Sequence, residues 1–130
     1  MNRVRPVLGL VAAVLLVLSS GAHSFLGWKQ LGSQLAATNA PTELVLGLKI
    51  GWMFGGVVML TLGFIVFAIF LARFRGRNVP VFPAILISIA YLVFGVWALV
   101  VSNFDLFFLV FIIPGVLLVI ASTPGQAKAE

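Results

Sequence analysis

The chain has 130 residues, of which 62% are hydrophobic and only 8% are charged, and its mean hydropathy is +1.24. Soluble domains are about 45–50% apolar and about 25% charged, so this composition excludes a water-soluble globule and predicts a protein of the lipid bilayer. The formal net charge of +5 comes from lysines and arginines at the ends of apolar runs. That placement is typical of membrane topology signals and not of a nucleic-acid-binding face.

The residue counts exclude several kinds of chemistry. The chain has no cysteine and a single histidine, which excludes a disulfide framework, a thiolate metal site and a bis-histidine haem within one chain. Only three residues are acidic, and none lies in the middle of an apolar run, where a proton-coupled exporter needs one. We therefore expect no enzymatic activity, no metal site and no cofactor.

Four apolar runs predict the fold. The hydrocarbon core of a bilayer, about 30 Å thick, takes about 20 helical residues, and residues 6–26, 44–72, 80–101 and 104–121 meet or approach that length. Because backbone polar groups in lipid must pair within the chain, these runs predict an all-α integral membrane four-helix bundle of one domain. The first run also fits a cleaved signal peptide, since basic residues precede a short apolar stretch and small residues follow it.

The basic residues predict the orientation. Lys29 and Lys49 fall on one side of a four-span chain. Six basic residues fall on the other side: Arg3, Arg5, Arg73, Arg75, Arg77 and Lys128. Because cytoplasmic loops carry an excess of Lys and Arg, we expect a multi-pass protein of the plasma (inner) membrane with both termini and the loop of residues 73–79 in the cytoplasm.

The longest connection, residues 27–43, is expected on the outer face. Trp28, Leu31 and Leu35 follow helical spacing, which favours a short helix lying in the membrane interface with Trp28 as its anchor. An irregular outer loop is the alternative.

Two helix starts carry capping residues. Pro41 suits an early helical position before the second run, where Asn39 or Thr42 is expected to cap. Asp105 precedes the fourth run at the water boundary, so we expect it to cap that helix and not to relay protons.

Glycines in the second run predict a helix-packing face. They are spaced mostly four apart, with a methionine at the remaining step: Gly47, Gly51, Gly55, Met59 and Gly63. Glycines at this spacing let another helix come close. Gly95, among further small residues of the third run, offers a partner within the chain, and a second protein molecule is the alternative.

The fourth run and the phenylalanines leave two functions open. Pro114 and Gly115 interrupt the fourth run and predict a helix bend, while broken helices also surround transporter sites. Phenylalanines form two stripes, expected to face lipid or else a flat apolar ligand such as a quinone: Phe64, Phe67, Phe70, Phe74, and Phe104, Phe107, Phe108, Phe111.

His23, Ser24 and Trp28 are the candidate functional residues. His23 lies near the outer end of the first run, and a histidine there is able to titrate near neutral pH or to bind a metal. The alternative is a histidine hydrogen-bonded to a backbone or hydroxyl group at the interface.

The segment Gly21-Ala22-His23-Ser24-Phe25-Leu26-Gly27 resembles a group of small bacterial membrane proteins of uncharacterised function, which have an His-Ser-x-Leu-Gly motif at the end of the first of four spans. The resemblance extends to Pro41, Trp52 and Pro114. Relatives often carry a histidine directly after the tryptophan, where this chain has Met53, so the resemblance implies no two-histidine site here. It implies the four-span fold and no particular activity.

Together these features predict a small non-enzymatic membrane protein that packs with itself or serves as an accessory subunit of a membrane complex, with no nucleic-acid partner. A small transporter or channel is the first alternative. A redox accessory that binds haem or quinone through His23 is the second.

Overall fold

The structure, a computed structural model, describes residues 3–123. Its elements in chain order are α1 (Val4–Gly21), a π-helical segment (Ala22–Gly27), α2 (Trp28–Ala37), α3 (Thr42–Phe74), α4 (Phe82–Val101), a 3-10 turn (Leu106–Phe108) and α5 (Leu109–Ser122). This confirms the predicted all-α fold.

The elements form four helices in the part of the chain that the structure describes. The first three, Val4–Ala37, α3 and α4, are long and apolar enough to cross a membrane, and Leu106–Ser122 is a shorter apolar helix. The first two have 34 and 33 residues, and α4 has 20. At 1.5 Å per residue they measure about 50 Å against about 30 Å for α4.

The four helices are arranged in a ring, in which three of the four neighbouring pairs pack closely and one pair makes little contact. Helix α1 packs against α3 and α5, α4 packs mainly against α5, and the contact between α3 and α4 is slight. The core draws on all four helices: Ala12, Ala13, Leu16, Val66, Phe70, Ala84, Ile87, Tyr91, Leu118 and Ala121. These residues all lie in the half of the bundle nearest the loop of residues 73–79.

The arginines gather at that same end. The Arg3 guanidinium lies 5.5 Å from the centre of the Phe74 ring, and Arg5 Nη1 donates to the Thr123 carbonyl at 2.7 Å. The start of α1, the end of α5 and the loop of residues 73–79 therefore meet at what we call the arginine end. The opposite, lysine end carries Lys29, Lys49 and the α4–α5 connection. Lys128 lies outside the described residues, and the side of the membrane that each end faces stays a prediction.

The expected interfacial helix is helical but not separate. Gly27 keeps helical backbone angles (φ −62°, ψ −44°), so α2 continues α1 through the π-helical segment without a turn. The segment Trp28–Ala37 is thus helical and not an irregular loop, and its place in the membrane interface stays a prediction.

Of the expected caps, one is confirmed. Asp105 Oδ1 accepts from the Phe107 N–H at 2.9 Å, which stabilises the start of the fourth helix. At the start of α3, Pro41 itself is the capping residue and no side chain bonds there. The expected side-chain capping by Asn39 or Thr42 is wrong, because Asn39 turns into the left-handed region (φ 51°) to reverse the chain.

Candidate functional site

Glycines admit close contacts along both main helix pairs. A Cβ atom placed on Gly63 of α3 would lie 2.8 Å from Val17 Cγ2 of α1, and one on Gly95 of α4 would lie 2.8 Å from Ile112 Cγ1 of α5. Real Cβ atoms do not approach that closely, so only glycine permits this spacing of the helices. The structure therefore places Gly63 and Gly95 at helix contacts.

Gly47 and Gly51 lie elsewhere. A Cβ atom on either would meet no other group of the described chain within 4 Å, so the intramolecular version of the predicted glycine face is wrong for these two. Within α3 the buried glycines are Gly56 and Gly63, seven residues apart and not four. Contact of Gly47 and Gly51 with a second molecule stays a prediction.

Two buried serines tie the helices together. Ser20 Oγ of α1 donates to the Gly56 carbonyl of α3 at 2.9 Å, and Ser88 Oγ of α4 donates to the Gly115 carbonyl of α5 at 2.8 Å. The glycine at each acceptor position leaves its carbonyl accessible to the neighbouring helix.

His23 and Trp52 form the most specific polar contact of the bundle. Their rings stack with centroids 4.4 Å apart and planes at 6°. His23 Nε2 lies 3.1 Å from the Trp52 carbonyl oxygen, and Trp52 Nε1 donates to the His23 carbonyl at 2.7 Å. Each side chain thus bonds to the main chain of the other residue, which fixes both rings.

The residues around this pair are glycines, one from the motif and two from α3. A Cβ atom on Gly27 would lie 2.8 Å from the Trp52 ring, and one on Gly55 would lie 3.3 Å from His23 Nε2. A Cβ atom on Gly56 would overlap Ser24 Oγ. The Trp52 ring and Ser24 therefore need glycine at positions 27 and 56, and His23 lies in tight contact with Gly55. This brings together the His-Ser-x-Leu-Gly motif and Trp52, which are distant in sequence.

The π-helical segment presents the His23 carbonyl. In a π-helix the backbone bonds span five residues, so the turn is wider than in an α-helix. His23 lies within this segment, and its carbonyl accepts the indole N–H. The wider turn widens the α1 surface at the point where the Trp52 ring enters.

The hydrogen bonds also define the tautomer of His23. A carbonyl oxygen only accepts, so Nε2 must carry the hydrogen, and in neutral imidazole Nδ1 then bears the lone pair. The side chain is half-buried. Within the described residues no group of three His, Cys, Asp or Glu side chains stands ready to hold a metal ion. Nδ1 is the only position from which His23 could ligate.

Trp28 does not join this contact. Its ring lies beside Lys49 of α3, whose Nζ is 5.9 Å from the ring centroid. This cation–π geometry links α2 to the start of α3 at the lysine end. The three candidate functional residues thus divide into His23 and Ser24, which face α3 glycines, and Trp28, which contacts Lys49.

Pro114 and Gly115 are buried within α5, which continues through both. A Cβ atom on Gly115 would lie 2.9 Å from Leu92, so Gly115 is a packing residue as well as the acceptor for Ser88. The predicted bend stays a prediction.

Sequence reasoning missed Phe70, which was expected to face lipid with its stripe. Its side chain is fully buried, because its ring covers Gly9 of α1. Phe64 and Phe67 of the same stripe are exposed. The signal that was available is Gly9, the first glycine of the apolar run of residues 6–26.

Comparison of this chain with protein-family models, with curated proteins and with solved structures finds no match. The chain is a helical membrane protein by its fold and hydropathy, and its function has to be argued from its own residues.

Proposed function

We propose that this protein is a non-enzymatic subunit of a membrane assembly that pairs with a second copy of itself through the outer half of α3. Association with a larger membrane complex through the same face is the broader form of this proposal. The protein would act by contact, as a packing partner within the bilayer.

The observation that carries the proposal is the uncovered glycine pair in α3. Gly47 and Gly51 lie four residues apart and meet nothing of the described chain, whereas Gly55, Gly56 and Gly63 of the same helix all meet α1 or the π-helical segment. Large apolar side chains surround the pair and are exposed: Leu44, Leu46, Leu48, Ile50 and Phe54. In lipid, where there is no hydrophobic drive for helices to associate, glycines four apart allow the close van der Waals contact that replaces it.

The experiment measures self-association of the full chain in proteoliposomes by resonance energy transfer between labelled copies. Gly51→Leu and Gly47→Leu should weaken association about tenfold. Gly21→Leu is the matched control, since Gly21 of α1 also meets nothing within 4 Å. A monomeric wild type, or equal loss with Gly21→Leu, contradicts the proposal.

We further propose an inner-membrane location in a bacterial cell with the arginine end in the cytoplasm. The positive-inside rule supports this orientation, and the gathering of five arginines at one end is consistent with it. Because the native chain has no cysteine, single cysteines at positions 34 and 76 report each end. An impermeant thiol reagent should label position 34 but not position 76 in intact cells.

The His23–Trp52 contact favours a second candidate, a redox accessory that holds a ligand at His23 Nδ1. The half-buried ring and the unused Nδ1 support it, and a second copy could bring a second His23. Purified protein without a histidine tag should then contain stoichiometric metal or haem that His23→Gln loses. Absence of both in the wild type contradicts this candidate. We also propose that the chain is related to the uncharacterised membrane proteins that carry the His-Ser-x-Leu-Gly motif, as their resemblance in sequence suggests.

The transporter or channel alternative finds less support. The buried hydroxyls of Ser20 and Ser88 bond to carbonyls across helix contacts, so they are not arranged along a pathway. Flux of small solutes into proteoliposomes tests this alternative directly.

A further inference from the structure

A shallow apolar groove lies between α1 and α3 on the surface of the bundle. It has a volume of about 200 Å³ and is lined only by apolar side chains: Ala13, Val14, Val17, Leu18, Phe64 and Phe67. Phe64 and Val14 are largely exposed, so the groove opens outward to the lipid. A chain of methylene groups matches such a surface.

Two arginines lie on the same faces at the arginine end. Arg3 precedes Val14 by eleven residues, and Arg75 follows Phe64 by eleven. Eleven residues make about three turns of helix, so each arginine lies on the face of its groove residue, about 16 Å away along the axis. Arg3 and Arg75 therefore lie on the same helix faces as the groove, one on each side of the direction that leads into it.

Aromatic side chains continue the wall between the arginines and the groove. The Arg3 guanidinium lies 5.5 Å from the centre of the Phe74 ring. Phe67 lies seven residues before Phe74 on α3 and lines the groove. An apolar path thus runs from the cations to the middle of the bundle.

The charge of this end is not balanced within the described part of the chain. The described acidic residues are Glu43 and Asp105, and both lie at the lysine end. Arg5 and Arg73 each donate to a main-chain carbonyl, which holds them in place without neutralising them. The exposed Arg3 and Arg75 guanidinium groups have the planar donors that suit a phosphate.

The spacing matches half a bilayer. With its headgroups a bilayer is about 40–45 Å thick, so half is about 20–22 Å. When the phosphate lies at the level of the arginines, the end of its acyl chain lies about 20–22 Å deeper, so the chain passes the groove residues about 16 Å from the arginines. Headgroup and chain of one lipid therefore reach both features together.

We propose that the α1–α3 face binds one anionic diacyl phospholipid. Its phosphate lies between Arg3 and Arg75, and one acyl chain follows Phe74 and Phe67 into the groove. This site is separate from the glycine pair of the proposed self-association, because it occupies the opposite half of α3.

The test is native mass spectrometry of the full chain in detergent, titrated with phosphatidylglycerol and, in parallel, with phosphatidylcholine. One phosphatidylglycerol should bind more tightly than phosphatidylcholine. Arg3→Gln should weaken its binding about fivefold, the worth of one well-placed basic residue. Arg77→Gln removes the same charge from the same loop region but off the direction that leads into the groove, and should change binding little.

The groove is tested by Val14→Trp, which fills it, against Val93→Trp on the exposed surface of α4. Val14→Trp should abolish retention of phosphatidylglycerol while Val93→Trp leaves it intact, with helix content checked by circular dichroism. Inorganic phosphate should not compete. Equal weakening by Arg77→Gln and Arg3→Gln, unchanged binding with Val14→Trp, competition by phosphate, or equal binding of phosphatidylcholine would each overturn the site.

Discussion

The α1–α3 pair and the α4–α5 pair show two ways of joining apolar helices. In both, a serine hydroxyl donates to a glycine carbonyl across the contact, Ser20 to Gly56 and Ser88 to Gly115. In both, a further glycine admits a neighbouring aliphatic side chain. Beside the α1–α3 pair, His23 of the π-helical segment stacks on Trp52 of α3 and two more hydrogen bonds join them.

The α4–α5 pair therefore indicates what simple packing requires. Aromatic contacts add to these, with Phe94 and Phe111 meeting edge to face at 4.9 Å and Tyr91 beside Phe111, and Gly115 packs against Leu92. Since a serine, small residues and aromatic rings hold these helices, the His23–Trp52 contact exceeds what pairing needs. This is why we place the candidate site in the α1–α3 pair.

The largest expected difference between the pairs concerns their aromatic residues. Phe70→Ala should cost about 3 kcal/mol of unfolding free energy, at the low end of the range for buried Phe→Ala because lipid replaces water around the separated helices. Phe111→Ala should cost less, because Phe111 is only half-buried. Equilibrium unfolding in mixed micelles measures both, and a larger loss at Phe111 would reverse the comparison.

Overpacking tests whether the two contacts are equally tight. Gly63→Leu and Gly95→Leu should each destabilise the protein by about 1–3 kcal/mol, because a side chain at either position overlaps the facing helix. Gly21→Leu should have little effect. If Gly63→Leu were tolerated while Gly95→Leu was not, the α1–α3 contact would depend on its polar pair and not on close packing.

The polar pair is tested by Trp52→Phe, which keeps a ring for stacking but removes the indole donor. The expected loss is about 1 kcal/mol, because the change removes one hydrogen bond between helices, about 0.6 kcal/mol on average, and the part of the indole that packs on Gly27. Trp97→Phe on the exposed surface of α4 is the control and should be neutral. Equilibrium unfolding measures this loss, and a neutral Trp52→Phe would show that the indole N–H contributes nothing to the His23–Trp52 contact.

The smallest effects should come from the serines. Ser20→Ala and Ser88→Ala should each cost about 0.6 kcal/mol, the average for a hydrogen bond between membrane helices. Because both acceptor carbonyls lie in helices, neither is left without a partner. Clearly unequal losses would show that the hydrogen bond from serine to a glycine carbonyl contributes differently to the two helix pairs.

Composition was enough to predict the fold, because a chain this apolar has few ways to satisfy its backbone in lipid. The faces of the helices were harder to predict. Helix α3 is apolar on every side, so no polar face shows which glycines turn inward, and Gly47 and Gly51 were grouped with Gly63. Sequence spacing alone does not separate a contact within the chain from one between chains.

The His23–Trp52 contact could be predicted only in part. The motif singled out His23 and Ser24, but their partners lie 29 or more residues away along the chain. The resemblance included Trp52 without saying that the two rings meet. Trp28, adjacent to the motif, was expected to act as an interface anchor, and its ring lies beside Lys49.

The π-helical segment of residues 22–27 also sets the rotational phase of everything that follows it. The wider turn accommodates one extra residue, and the helix axis continues without a break. The residues that follow are shifted by one position, which corresponds to about 100° of rotation in an α-helix. Deleting one residue from this segment would restore regular α-helix and carry α2 round by that angle. Trp28 would then leave Lys49, and Gly27 would leave the Trp52 ring. The packing register between Val4–Ala37 and α3 thus depends on one extra residue. A chain one residue shorter in this segment would be expected to need a different partner for Trp52.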